Sequence, residues 1–236
     1  MLTIKQNFSL KPYNSFGLDV KAKYFVEYET PDDLSHFLST LDSRLSTLDS
    51  RLFHIGSGSD LLFTKDYDGY ILHSAIKGID ILDRRDDHVT LSVGAAENWD
   101  AFVQWTIDHG YYGLENLSLI PSEVGAAAVQ NIGAYGAEAK DFILSVECVD
   151  MRTGQLVHHT NEQCGFSYRH SNYKAQWRGQ YAITHVLFSL PTVFTPNISY
   201  KGLSDLPTDT LTAQTVRNRV RELALQATHV CLLLNL

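Results

Sequence analysis

Residues 120–136 read IPSEVGAAAVQNIGAYG, and the fold turns on this stretch. It holds one charged side chain, Glu123, with glycines at 125, 133 and 136 and alanines at 126–128. So slim a segment lets backbone approach a flat ligand closely. If it opens a helix, bare N-terminal N–H groups are placed to meet a pyrophosphate. A buried, tightly packed helix–turn is the plain alternative. Upstream lies a second slim segment, Gly56-Ser57-Gly58-Ser59-Asp60, between the apolar runs Phe53–Ile55 and Leu61–Phe63, both read as strands. Consecutive N–H groups with little side-chain bulk form nests for phosphate oxygens, and a β-hairpin loop of small residues is the competing reading. The loop lacks the third glycine and the following helix of a dinucleotide fingerprint, and no Gly-Lys-Ser/Thr of a Walker loop occurs. Two separate slim loops point to a dinucleotide held extended between two lobes.

Around these segments, strands are expected at 23–28, 70–73, 79–82, 89–93, 145–151, 155–158 and 182–190, with a turn at Arg152-Thr153-Gly154. Thr30-Pro31-Asp32-Asp33 starts a helix, with Thr as N-cap, Pro at N1 and acids in the first turn. Its apolar face runs through Leu34, Phe37, Leu38, Leu41, Leu45, Leu48 and Leu52. Residues 38–44 and 45–51 both read LSTLDSR, a duplicated heptad of about two helical turns that extends the helix nearly in phase; a coiled-coil seam needs more repeats. Asn98–His109 reads as a helix capped by Asn98 and closed by Gly110, and Thr212–Leu223 as the last one. Strands and helices mix without regular alternation, so the fold class is α+β.

The chain has 236 residues and a formal charge of −8, a balance that argues against nucleic acid as partner. No apolar run approaches the ~18 residues of a membrane helix, and the first residues lack a signal peptide's apolar core. The expectation is a cytoplasmic protein with no membrane association and no obligatory protein partner. Three cysteines, without Cys-x-x-Cys, argue against disulfides or structural zinc. Ten histidines without a ligand spacing read as surface and capping residues, so no metal is expected.

Five motifs, taken in order, add a resemblance: N-S-F-G at 14–17, G-S-G-S-D-L-L-F at 56–63, E-N-L-S-L-I-P-S-E-V-G at 115–125, Q-N-I-G-A-Y-G at 130–136 and F-S-Y-R-H-S at 166–171. From about residue 8 to about 222 the chain resembles the UDP-N-acetylenolpyruvoylglucosamine reductases. The resemblance implies a two-lobed FAD-binding domain of the vanillyl-alcohol-oxidase (PCMH) type over residues 1–192, with lobe one about 1–73 and lobe two about 74–192. Residues 193–236 then begin a substrate-binding domain. It further implies FAD as cofactor, NADPH as hydride donor and a UDP-sugar as substrate, whose enolpyruvyl ether is reduced to a lactyl ether in peptidoglycan precursor synthesis. For FAD it implicates Gly56, Ser57, Gly58, Ser59, Asp60 and Leu61 of the first loop. From the second stretch it implicates Leu117, Ile120, Pro121, Ser122, Val124, Gly125, Ala126, Ala127, Asn131, Ile132, Gly133, Ala134 and Tyr135. Arg169 matches the family's cation for the substrate's developing enolate, a role suited to a guanidinium that fits carboxylates bidentately and keeps its charge. Tyr200 matches a substrate-closing tyrosine, its alternative being a packed loop aromatic; Tyr168 and Lys174 support the site.

The sequence also departs from the family. Asp60 stands where Asn is usual and sets a carboxylate near a pyrophosphate. Ser122 replaces a glycine, and Ala126-Ala127-Ala128 lacks a hydroxyl for the flavin ring. From about residue 224 the tail matches nothing in the family, and the third-domain serine that donates the proton and the late glutamate are not found. The alternative expectation is therefore a truncated, catalytically defective flavin-binding remnant, with the apolar end 230–236 exposed. A related flavin oxidase with His54 as attachment point and a non-enzymatic binding module are the remaining alternatives.

Overall fold

The structure is a computed structural model that describes residues 1–41 and 52–234, with side chains up to Ala227. Two sheets organise the chain. The first, with spatial order β1-β2-β4-β3, is built from β1 (Thr3–Ser9), β2 (Lys21–Tyr28), β3 (Leu52–Ile55) and β4 (Tyr67–Ser74). β1 runs antiparallel to β2, whereas β2 and β3 both run parallel to β4. β1 is not expected from the sequence: its residues are mostly exposed and carry no alternation, and its ladder with β2 and the packing of Phe8 on Phe25 hold it.

Between β2 and β3 runs α1 (Pro31–Thr40), capped as expected: the Thr30 hydroxyl accepts from the Asp33 N–H and the Asp33 carboxylate accepts from the Thr30 N–H, both at 3.1 Å. Leu41 closes the helix. Leu45, Leu48 and the repeated heptad 45–51 lie outside the described residues, and Leu52, expected on the helix face, begins β3 instead. The expected strand Leu61–Phe63 is irregular, because the Leu61 N–H turns back to the Gly58 carbonyl at 3.4 Å.

The second sheet, ordered β10-β9-β11-β6-β5, is wholly antiparallel: β5 (Ile79–Arg84), β6 (His88–Gly94), β9 (Ile143–Asp150), β10 (Leu156–Thr160) and β11 (Tyr181–Pro191). α2 (Trp99–Asp108) lays Trp99, Phe102 and Val103 on its face, against Leu91 and Phe188. α3 (Val124–Gln130) follows, then the two-residue strands β7 (Gly133–Ala134) and β8 (Ala137–Glu138), a short α4 (Asn161–Cys164) and finally α5 (Ala213–Leu234). The two sheets share core: Val149 and Ala182 of the second pack with Val26, Leu34, Phe37 and Leu72 of the first unit. Fully burying each such aliphatic or aromatic side chain contributes about 1.5–3 kcal/mol, so the sheets stabilise one another.

Candidate functional site

The loop after β3 is tied down from beneath. Gly58 has φ +70° and sits so close to the chain that a Cβ there would collide with the Tyr13 carbonyl oxygen. The Ser15 N–H donates to the Gly58 carbonyl at 3.3 Å, and the Ser15 hydroxyl to the Ser59 carbonyl at 3.0 Å. The carbonyls thus point inward to the 13–15 segment, which gives the N-S-F-G motif a structural purpose. The backbone N–H groups of Ser57, Gly58, Ser59 and Asp60 find no protein acceptor among the described residues. Four neighbouring donors without acceptors are what a phosphate-binding nest requires, so these residues fit the pyrophosphate of a dinucleotide.

The second slim stretch meets this loop. A Cβ on Gly56 would lie 3.0 Å from Glu123 Oε2 and 3.5 Å from Ala126 Cβ. Gln130 Nε2 donates to Asp60 Oδ2 at 2.7 Å. Within the stretch, however, the expected bare helix N-terminus is absent. The Val124 N–H donates to the Glu97 carbonyl and the Gly125 N–H to the Ala95 carbonyl, both at 2.9 Å, so they serve to dock α3 against the end of β6. Gly125 is required there, since its Cβ would come within 2.9 Å of Ala95 Cβ. Leu117, Val124, Ala127 and Ile132 point into the core, which leaves their backbone alone to touch a ligand. Ser122 and Gly125 are buried as well. Of the residues implicated, Pro121 is exposed and Ile120, Ala126, Gly133, Ala134 and Tyr135 are half-buried, Ile120 and Ala134 packing against the core.

Asn131 is fully buried in left-handed conformation (φ +42°) as the C-cap of α3. Its amide nitrogen donates to Glu138 Oε2 at 2.7 Å and the Ser167 carbonyl at 2.8 Å, and its oxygen accepts from the Lys140 N–H at 2.9 Å. Its side chain is therefore spent on protein, and it fixes the turn that carries Tyr168 and Arg169. Arg169, with φ +53°, is exposed, and its guanidinium makes no hydrogen bond or ion pair among the described residues. Lys174 Nζ donates to the Arg169 carbonyl at 3.2 Å, while Tyr168 is exposed beside it. Tyr135 (φ +49°) meets Tyr200 edge-on, with ring centroids 5.3 Å apart.

Several residues that sequence reasoning missed hold these parts in place. Gln130 and Asn116 sit inside the quoted motifs, yet nothing in the string reveals their partners. Of the histidines read as surface and capping residues, His73 is buried and His54 half-buried, and desolvation pushes the His54 ring down to about 4, helped by the neighbouring His73. His73 bridges the two halves, with Nδ1 3.2 Å from Glu27 and Nε2 3.5 Å from Glu123. Arg217 of α5 is buried and donates to both oxygens of Asp100, to Gln104 and to Ser118 at 2.7–2.9 Å. Burial works to raise the Asp100 carboxyl, but the Arg217 and Leu119 hydrogen bonds prevail and hold it below the usual range.

A family model described as an FAD binding domain matches residues 22–160. Among curated relatives, UDP-N-acetylenolpyruvoylglucosamine reductase from Bacteroides fragilis (strain YCH46) is 45% identical over 187 residues, covering 79% of this chain and 54% of that protein. The enzyme of the same name from Neisseria gonorrhoeae is 43% identical over 204 residues, covering 86% and 58%. The chain thus spans little more than half the length of the relatives it matches. The crystal structure of UDP-N-acetylenolpyruvylglucosamine reductase from Thermus caldophilus superposes with a TM-score of 0.68 at 21% identity, over 97% of this chain and 70% of that one. Glucooligosaccharide oxidase from Acremonium strictum reaches 0.55 at 11% identity, over 80% and 40%. These likenesses give the fold as the PCMH-type FAD-binding fold expected from the motifs. The match covers more than half of the sequence, and the chain belongs to the FAD-binding domain family.

Proposed function

We propose that this chain holds FAD and serves the NADPH-dependent reduction of UDP-N-acetylenolpyruvoylglucosamine to UDP-N-acetylmuramate in peptidoglycan precursor synthesis, in the cytoplasm. The observation that carries the reading is the run of four acceptor-free N–H groups at Ser57–Asp60, set against the slim surface of Ala126. Reductases of that name at 43–45% identity support the reaction. On this reading residues 1–73 and 74–192 are the two lobes about the cofactor, and the chain from 193 belongs to the substrate side.

Bound FAD would supply hydride chemistry; the chain's own groups bind and orient cofactor and substrate, and the proton taken up at the α-carbon is assigned to none of them. The nest at Ser57–Asp60 holds the pyrophosphate. Ile120, Pro121, Ala126, Gly133 and Ala134 offer a low surface to the flat ring system. Reduction of an enolpyruvyl ether places negative charge on the substrate's α-carbon and carboxylate, and a fixed cation there is the largest single help available. For that carboxylate Arg169 has a guanidinium with no partner among the described residues, on a turn that Asn131 anchors to the end of α3. Tyr168 and Lys174 flank it, and Tyr200 closes over the sugar nucleotide.

The test begins with the purified chain and FAD. A flavin absorbance band retained through gel filtration, then lactyl product formed with NADPH and the enolpyruvyl sugar nucleotide, is the expected result. No retained flavin would overturn the reading. Arg169→Met is expected to lower kcat by about two to three orders of magnitude with flavin binding intact; unchanged kcat would remove Arg169 from the site.

A further inference from the structure

Asn116 lies in the short turn Glu115–Leu117, is 1% exposed, and is itself assigned above to neither cofactor nor substrate. Its amide nitrogen donates to two carbonyls at once, those of Tyr135 and Asn197, each at 2.8 Å. One carbonyl belongs to the glycine-bearing stretch proposed to face FAD, the other to the loop that carries Tyr200. A second contact repeats the link: Asn197 Nδ2 donates to the Gly136 carbonyl at 2.9 Å, while the Ser199 hydroxyl donates to Asn197 Oδ1 at 3.2 Å. Above this clasp the Tyr135 and Tyr200 rings meet edge-on.

The amide has only one workable orientation. Flipping it would set Oδ1 against two carbonyl oxygens. As placed, the amide nitrogen is used and Oδ1 is buried with no partner among the described residues. An orphaned buried acceptor costs about 1–3 kcal/mol, and Tyr135 adds a left-handed backbone that a tyrosine rarely adopts. Such costs persist where surrounding structure over-determines a conformation, commonly beside a functional site.

We infer that Asn116 is a positioning residue: its single amide sets the height of the Tyr200 loop above the 133–136 stretch, and through it the approach of a UDP-sugar to the flavin. The inference rests on the function proposed above. It concerns neither flavin contact nor proton transfer. It assigns substrate affinity to a buried amide remote from substrate, acting through Tyr200.

The experiment uses the whole chain with 3-fluorotyrosine placed at position 200 and followed by ¹⁹F NMR, since a ring held edge-on to another feels its ring current. Asn116→Asp, which opposes two carbonyl oxygens with carboxylate oxygens, is expected to move the Tyr200 resonance toward that of free fluorotyrosine. Asn197→Ala, an exposed change that leaves the core untouched, is expected to move it part of the way. Asn116→Ser, shorter but still able to donate to one carbonyl, is expected to fall between them. In FAD-loaded protein, titration with the UDP-sugar, read by flavin absorbance, is expected to show at least tenfold weaker binding in Asn116→Asp with FAD affinity within twofold of wild type. A Tyr200 resonance unchanged in Asn116→Asp and Asn197→Ala overturns the inference, as does UDP-sugar affinity unchanged despite a shifted resonance. Failure of the proposed function is read separately, in the wild type alone, as no flavin retained.

Discussion

His54 sits at 2.5 Å from the Tyr28 hydroxyl and stays neutral to about pH 4, whereas an unfolded histidine takes a proton near 6.5. The unfolded chain therefore gains a proton that the fold refuses. Stability falls as pH drops from about 6.5 to about 4, by about 3 kcal/mol from this residue at most. His54→Gln, which keeps a polar partner for Tyr28 and does not titrate, should flatten that part of the profile, measured by denaturant unfolding at pH 7 and 4.5. Equal slopes in the two proteins would remove His54 from the account. Asp60 presents a different charge problem. It accepts from Gln130 at 2.7 Å on the rim of the acceptor-free N–H run. Asp60→Asn is expected to tighten FAD binding, because it removes a like charge beside a pyrophosphate, and titration of flavin into both proteins checks it. Composition hid the histidines: a string carries no record of which ring a fold will bury, and His73 meets Glu27 and Glu123 only after 46 and 50 residues of chain have been folded back. The exposed Arg169 and Tyr200 were legible because their motifs are, not because their surroundings could be read.

Among the elements, α5 is held by an apolar cluster and by two arginines, Arg217 and Arg221, that both reach Asp100. Val216 and Val220 are buried beneath the Tyr200 loop with Leu203, but Arg217 reaches across to α2 and clasps Asp100 through two of its guanidinium nitrogens. Asp100 in turn accepts from the Leu119 N–H at 2.6 Å, where the backbone has φ +59°. Arg217→Met leaves the Asp100 carboxylate with Arg221, 3.2 Å away, as its remaining cation and is expected to cost about 2 kcal/mol. Hydrogen exchange should speed up in α5 and in 115–119 together. Exchange confined to α5 would mean that the clasp does not reach the motif. Asp100→Asn in the same protein should recover part of the loss. The start of α5 was readable from apolar spacing, and α1 from Thr30-Pro31-Asp32-Asp33. The pinning of α5 was not, since an arginine in an amphipathic helix reads as solvent-facing until a carboxylate more than a hundred residues earlier in the chain is brought beside it. Likewise the run Leu61-Leu62-Phe63 is apolar enough for a strand, yet Gly58 turns it into a loop whose Leu62 is exposed.

For the whole molecule, the shared core of Phe37, Leu34, Val149 and Ala182 makes the two sheets one cooperative unit. All three tryptophans, Trp99, Trp105 and Trp177, pack in the core of the second sheet. Phe37→Ala in α1 is expected to cost about 3–5 kcal/mol and to lower the denaturant midpoint seen by tryptophan fluorescence, although no tryptophan is near the change in sequence. A tryptophan midpoint unmoved by that substitution would mean that the halves unfold apart. The α+β class and the two slim loops were legible from residue pattern. The order β1-β2-β4-β3 was not, because parallel pairing leaves no local turn signal. That order has a consequence in polymer terms. Phe25 pairs with Ile71 across the parallel β2–β4 ladder, so the pairing closes a loop of roughly 45 residues, and the repeated LSTLDSR lies inside it. Closure entropy grows only with the logarithm of loop length, so seven residues more or fewer alter it by about 0.15 kcal/mol. A crossover that is already long absorbs a duplicated heptad at almost no thermodynamic penalty, whereas the same insertion in a two-residue hairpin turn would have broken the register of its sheet.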